Sequence, residues 1–305
     1  MNENIDNKKT GLESSGRYPH AYEISCYFCI LKRDAIAMPG IKCSLIISTY
    51  NWPAALELVL KSVSAQAYLP DEVIIADDGS GNDTKRLIDE LKSSFPVPLI
   101  HVWHEDNGFR KTIILNKAIH KSSGDYIIQV DGDVILEKHF IRDHLASAEP
   151  ATFLRGTRAL LTEDKTSELF QSKNINLSPF SSGVQNRNNA LRLFALRAAG
   201  SRKVWSSNSV RGSNLSFWKA DFVKVNGYNN DISGWGHEDE ELAARFINSG
   251  VIKKIIKLCA VQYHLYHPIL SKKDEPWQRE LVDRTKIEKV QFCKNGYQQS
   301  AFNAT

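Results

Sequence analysis

The acidic residues of this chain fall where an open α/β sheet would hold a ligand. An apolar run over residues 72–76 ends in Asp77 and Asp78, and another over 125–130 ends in Asp131, Gly132 and Asp133. Each run reads as a short strand buried on both faces. In open parallel sheets the ligand crevice lies beyond the carboxyl ends of the strands. Two acidic pairs brought to one rim suit a nucleotide together with a divalent cation.

The segments around them point to the same architecture. Strands are expected at 43–48, 72–76, 99–103 and 125–130. Between them the pattern predicts a helix entered through Pro53, one carrying Leu87, Ile88 and Leu91, and one over 112–120. Asn51 is the expected N-cap of the first, with Pro53 in its first turn. Alternation at this spacing predicts an α/β fold: a Rossmann-like, mostly parallel central sheet with helices on both faces. Further on, the pattern predicts a strand over 152–161, a mobile or acceptor-facing polar segment over 163–201, a helix over 216–225, a helix over 238–248 and a last strand over 252–263. Residues 1–40 read as a partly disordered extension and 271–305 as a charged, partly helical tail.

Composition narrows the partners. Lys plus Arg is 39 against 35 for Asp plus Glu, a net charge of +4. That excess is too small to imply nucleic acid, yet it permits peripheral contact with the inner face of an anionic membrane. No apolar run approaches the ~20 residues that span a bilayer, and the first ten residues are polar, so a cytoplasmic protein is expected. Cys26 and Cys29 have zinc-knuckle spacing but no second ligand pair follows, and the five cysteines are read as reduced thiols.

Four expected strand ends carry polar clusters: Ser48, Thr49, Tyr50 and Asn51; Asp77, Asp78, Gly79 and Ser80; residues 105–110, with Asn107 and Arg110; and Asp131, Gly132 and Asp133. One polar loop means little, but four on successive parallel strands line one crevice. Two carboxylates flanking Gly132 make a clamp for a hard cation, Mn²⁺ or Mg²⁺, shared with phosphate oxygens. The same Asp-Gly pair suits a plain turn, although the buried strand before it argues against a hairpin. Asp77 and Asp78 exceed what a helix cap needs and suit a base imide or ribose hydroxyls. Arg110 and Lys111 are either cations for a diphosphate or a solvated basic pair.

The run 234–241 places Gly234, Trp235, Gly236 and His237 ahead of Glu238, Asp239, Glu240 and Glu241. Acids at a helix start compensate its dipole. The glycine–aromatic–glycine lead-in suits instead a tight loop stacking Trp235 on a sugar beside a carboxylate. His264 and His267 close the expected last strand, and their spacing makes one of them a metal-ligand candidate.

Taken in order, residues 47–51, 76–80, 106–108 with Asn116, 131–133 and 235–239 resemble the motif series of family 2 inverting glycosyltransferases, over about residues 41–267. The run 234–239 also resembles the acceptor-side motif of β-1,4-galactosyltransferases and bacterial chondroitin-type polymerases. The resemblance implies the GT-A fold, with 41–270 as catalytic domain, its 41–135 half binding the nucleotide sugar and its 136–270 half the acceptor. It implies that Thr49, Tyr50, Asn51, Asp78, Asn107, Arg110, Asp131 and Gly132 contact a UDP-sugar donor. Asp133 and His264 would ligate the metal, with His267 as fallback. Asp239 would be the catalytic base, assisted by Glu238, and Trp235, Gly236 and His237 would meet a glycan or lipid-linked acceptor. His237 stands where relatives often carry glycine. The Gln-x-x-Arg-Trp element of processive synthases is missing, so single addition is expected rather than polymerisation.

Two other enzyme classes fit worse. A sugar-nucleotide nucleotidyltransferase would carry a glycine-rich, basic loop where Ser48 to Asn51 stand, and a dinucleotide oxidoreductase needs a Gly-x-Gly-x-x-Gly run that this chain lacks. A non-catalytic glycan-binding protein would have no use for both the clamp and the Glu238–Asp239 pair.

Overall fold

The structure, a computed structural model, describes residues 40–234, 236–268 and 275–302. The extension over 1–39, Cys26, Cys29 and Trp235 lie outside the described residues, as do 269–274 of the tail region. Strands β1 (Cys43–Thr49), β2 (Glu72–Asp77), β3 (Leu99–Trp103) and β4 (Tyr126–Asp131) alternate with helices α1 (Pro53–Ser64), α2 (Asn82–Lys92) and α3 (Lys111–Lys121). There follow β5 (Val134–Leu136), α4 (Phe140–Leu145), β6 (Thr152–Arg155), β7 (Ala159–Leu161), α5 (Glu163–Ser172), β8 (Val184–Gln185), α6 (Arg197–Gly200) and β9 (Arg202–Val204). The chain continues through β10 (Leu215–Trp218), α7 (Lys219–Lys224), α8 (Glu238–Asn248), β11 (Ile252–Ile255), β12 (Gln262–His264), α9 (Glu275–Ile287) and α10 (Tyr297–Phe302).

The main sheet runs β3-β2-β1-β4-β10-β6-β11-β9, and a smaller sheet runs β5-β12-β7-β8. β3, β2, β1 and β4 pair in parallel. β10 then enters antiparallel to both β4 and β6, so the second half of the sheet is mixed. Alternation within each strand feeds two apolar layers. Leu45, Ile47, Val73, Ile75 and Ile128 pack on α1 and α2, while Ile46, Ile74 and Ile127 pack on α3 and α8. Burial on both faces is why these strands are nearly continuous apolar runs, and truncating one such residue to alanine costs about 2–5 kcal/mol. Among the described residues no helix is long and apolar enough to cross a membrane.

Several expected elements take a different form. The helix expected over 216–225 begins as β10, because Ser216 and Phe217 find ladder partners on β4; only Lys219–Lys224 is helical. The strand expected over 152–161 is two strands in different sheets. They separate at Gly156, where a Cβ would lie 2.2 Å from Asn214 Oδ1. The last strand over 252–263 likewise divides into β11 and β12, through Leu258 and Ala260, both in the left-handed region. Neither residue type announces such a turn. Asn51 does not cap α1: the N-cap is Trp52, without a side-chain bond. Asn51 has φ 46° and instead ties two loops together, accepting from Gly81 N and donating its own N–H to Ser80 Oγ. The segment 163–201 contains α5, whose first turn Thr162 caps, and β8, which pairs with β7.

Candidate active site

The carboxyl ends of β1 to β4 do share one edge, and the junction between the two sheets lies on it. β4 leaves the main sheet at Asp131 and β5 enters the small sheet at Val134. Gly132 allows the crossing, since its N–H donates to Ser48 O at 2.7 Å and a Cβ there would sit 2.8 Å from that oxygen. β12 pairs antiparallel with β5, His264 opposite Val134, and Leu265 N donates to Asp133 O at 2.9 Å. Sheet register therefore sets His264 beside Asp133. Its Nε2 lies 3.5 Å from Asp133 Oδ2, and His267 Nε2 lies 3.3 Å from the same oxygen. The three ligand atoms fall within 4.8 Å of one another. Asp133 Oδ1 is buried with no partner. Burial lowers the pKa of His264, whereas the bond to Asp133 raises that of His267. One carboxylate and two imidazoles suit Mn²⁺ better than Ca²⁺, which prefers oxygen alone.

Asp131 pairs with Lys111. Its Oδ1 accepts from Lys111 Nζ at 2.8 Å and from Ser48 Oγ at 3.0 Å. Burial would raise the Asp131 pKa, but Lys111 outweighs it and holds it below the ordinary range. Lys111 also lies 3.7 Å from Glu238 Oε1, so one lysine joins the acids of the β4 rim to those at the start of α8. Burial acts to lower the lysine pKa, and Asp131, Glu238 and Asp239 reverse that into a rise. Lys111 is thus committed to carboxylates rather than free for a diphosphate.

Glu238 and Asp239 open α8 after Gly236 and His237, both with positive φ. Gly236 N donates to Glu238 Oε2 at 3.2 Å, and His237 Nδ1 lies 3.7 Å from Glu240 Oε2. Gly212 N donates to Asp239 Oδ2 at 2.6 Å. The Tyr228 hydroxyl lies 2.8 Å from Asp239 Oδ1 and 3.0 Å from Gln129 Oε1, and its one proton serves either oxygen. Burial, then Asp239, raises Tyr228 well above the phenol range, so it stays a donor. Burial raises Asp239, and burial with the Asp239 charge lifts Glu238 to about 7. Raised carboxyl values in a held geometry are what general base chemistry near neutrality requires.

The nucleotide rim is partly self-satisfied. Asp78 accepts from Arg110 N at 2.9 Å and pairs with His104 Nε2 at 2.7 Å, a buttress the sequence did not point to. Asp77 turns inward, pairing with His101 and accepting from Ser80 N, and takes the structural role. Tyr50 is half exposed and donates to Asp106. Thr49 Oγ1 and Arg110 Nε are buried without partners. Arg110, Asn107 and Thr112 line a cleft of about 490 Å³ closed on its other side by Asn230, Ser233 and Gly234, within the range of small-ligand sites. Tyr228, Gln129 and Gly212 were not singled out as parts of this site, because each meets partners remote in sequence, and Lys111 was read as a cation for a diphosphate rather than as the partner of Asp131 and Glu238. Lys111 alone left a trace, as a charge beside a strand end.

Residues 44–190 match glycosyl transferase family 2, and residues 195–268 match the N-terminal domain of galactosyltransferase. The chondroitin synthase of Escherichia coli is 22% identical over 252 residues, which cover 77% of this chain and 36% of that protein. The chain spans half or less of the length of several curated relatives that it matches. Among solved structures, S. aureus TarS 1-349 in complex with UDP superposes with a TM-score of 0.56 at 14% identity, covering 85% of this chain and 68% of that one. The mannosyltransferase PcManGT from Pyrobaculum calidifontis, in complex with GDP-Man and Mn²⁺, gives 0.54 at 17% identity, covering 84% and 68%.

Proposed function

Starting from a chain that belongs to glycosyl transferase family 2 and has the GT-A fold, we propose that it moves a hexose or N-acetylhexosamine, with inversion, from a UDP-sugar to a glycan or lipid-linked acceptor. The setting would be cell-surface polysaccharide or lipopolysaccharide synthesis, at the cytoplasmic side and in peripheral contact with the membrane. The observation that carries this is the pairing of two groups on one rim. A cluster of Asp133, His264 and His267 that could hold a cation stands on one side, and Glu238 with Asp239 on the other, joined through Asp131 and Lys111.

Inverting transfer needs a base for the acceptor hydroxyl and stabilisation of the departing diphosphate on the opposite face. Asp239 is the base in this reading. Tyr228 and Gly212 fix its carboxylate, and its raised pKa gives it affinity for the hydroxyl proton. Glu238, near neutrality in its own titration, assists at the same mouth. Asp133, His264 and His267 would hold Mn²⁺ or Mg²⁺, whose positive charge stabilises the leaving diphosphate. Arg110, with an unpartnered buried Nε, and the Thr49 hydroxyl are donors left over for the nucleotide. Asp78, held by His104 and Arg110, orients the ribose or base. Trp235, Gly236 and His237 would form the acceptor lip.

The experiment is a panel of UDP-sugars assayed for UDP release with Mn²⁺, Mg²⁺ or chelator. One donor should give release that chelation abolishes. UDP release from no donor, together with no UDP binding in Mn²⁺, refutes the assignment.

A further inference from the structure

A second group of charges stands within electrostatic reach of Asp131 and Asp133 but pairs with neither. Arg155, at the end of β6, Arg158, in the β6–β7 loop, and Arg211, just before Gly212, line one recess with Gly156, Ser213 and Asn214. Among the described residues none of the three makes an ion pair. Arg155 Nε donates to Ser209 O, Arg211 is exposed, and Arg158 Nε is buried with no partner. Packed guanidinium groups repel one another and a desolvated one is costly unless paired. Local sequence offers no relief, since no Asp or Glu occurs between Glu168 and Asp221. The neighbouring carboxylates are committed, Asp131 to Lys111 and Asp133 to the two histidines.

The three arginines are not equivalent. Arg158 lies within electrostatic reach of Asp131 and Asp133, the carboxylates of the proposed donor side. Arg155 has Arg211, Arg158 and Lys253 as charged neighbours, all of like sign. Arg211 precedes Gly212, whose N–H holds Asp239. The recess therefore adjoins the loop that fixes the proposed base. Its volume of about 20 Å³ admits one or two water-sized oxygens and no sugar ring. One or two oxygens of a compact anionic group can enter it, and guanidinium forks favour carboxylate or phosphate.

We infer that Arg155, Arg158 and Arg211 form an anion subsite that receives a carboxylate or phosphate carried by the acceptor, next to the hydroxyl that Asp239 would deprotonate. The assignment to the acceptor rests on the function proposed above; the anion site itself does not. The acceptor would then be an acidic glycan or a phosphate-bearing one, and a neutral oligosaccharide would leave the arginines uncompensated.

Sulfate is a suitable probe, read by thermal shift against chloride at equal ionic strength. With UDP and Mn²⁺ already saturating, sulfate should still stabilise the protein, and Arg211→Gln should weaken its apparent affinity about tenfold, close to 1.4 kcal/mol. Arg211→Lys should retain part of it, and UDP affinity should hold in both variants. Methyl glucuronide and glycerol phosphate are then tested for displacing sulfate, and the better one distinguishes carboxylate from phosphate. Loss of the sulfate response once UDP is bound would mean that the arginines hold the donor diphosphate, which overturns the proposal. An equal response in Arg211→Gln, or displacement by neither compound, overturns it as well. UDP binding is read in the same experiment, so failure of the transferase reading appears as a missing UDP response, separate from the sulfate result.

Discussion

Replacing Lys111 with methionine tests the electrostatics that join the two halves of the site. The lysine is 15% exposed, 2.8 Å from Asp131 and 3.7 Å from Glu238. At an effective dielectric of about 20, the closer contact alone corresponds to a raw attraction of roughly 6 kcal/mol. Desolvation offsets much of that in the intact pair, but removing one partner strands the other, at a cost of about 3–5 kcal/mol. Glu238 and Asp239 can take up protons, which favours the lower end of that range. For a domain of this size 1 kcal/mol moves Tm by about 2–4 °C, so a fall of roughly 6–12 °C is expected near pH 7.5. The sign with pH is fixed. Asp131 is depressed in the intact fold, so its stabilisation is lost only as pH falls below its unfolded pKa of about 4. In Lys111→Met burial acts without the lysine and raises the carboxyls, which take up protons as pH falls toward 5 and relieve the stranded charge. The penalty in Lys111→Met should therefore shrink toward pH 5, and Lys111→Met/Asp131→Asn should recover part of the loss. Circular dichroism melts of the four proteins at both pH values supply the test. A fall below about 2 °C at pH 7.5, or one that grows on acidification, refutes the reasoning.

Asp133→Ala should abolish Mn²⁺-dependent UDP binding in calorimetry while leaving Tm nearly unchanged, because it removes a rim ligand rather than packing; unchanged affinity in Mn²⁺ defeats the metal assignment. His264→Ala and His267→Ala should each weaken Mn²⁺ activation more than metal-free UDP binding, and a crystal structure with UDP and Mn²⁺ showing both imidazoles away from the ion would count against both. Asp239→Asn should lower kcat by about two to four orders of magnitude with donor binding little changed, and a variant that keeps its rate but loses UDP reverses the roles. Glu238 is raised from 4.5 to about 7 in the fold, so its ionisation costs stability as pH climbs from about 4.5 to about 7. Glu238→Gln should accordingly raise Tm at pH 8 and leave it level at pH 4.5, and the opposite order in differential scanning fluorimetry rules the account out.

The sequence alone determined the strand–helix alternation from β1 to β4 and the rim at its end. Those features are local: an apolar run of five or six residues is a strand wherever it is buried on both faces, and the acids that follow it must emerge at its carboxyl end. Asp78, Asp131 and Asp133 were legible for that reason, as were Glu238 and Asp239 at the start of α8. Where a strand depended on distant partners the local pattern misled, and 216–218 joined the sheet between β4 and β6 against a helical reading. Tertiary structure alone decided which partners each acid meets. The β5–β12 register brings His264, and with it His267, to Asp133 across more than a hundred residues. Lys111 turns Asp131 inward, and Tyr228 with Gly212 fixes Asp239. A carboxylate's neighbours, and hence its pKa and its role, are set by contacts between elements far apart in the chain, and the spacing of residues along one chain carries no record of them.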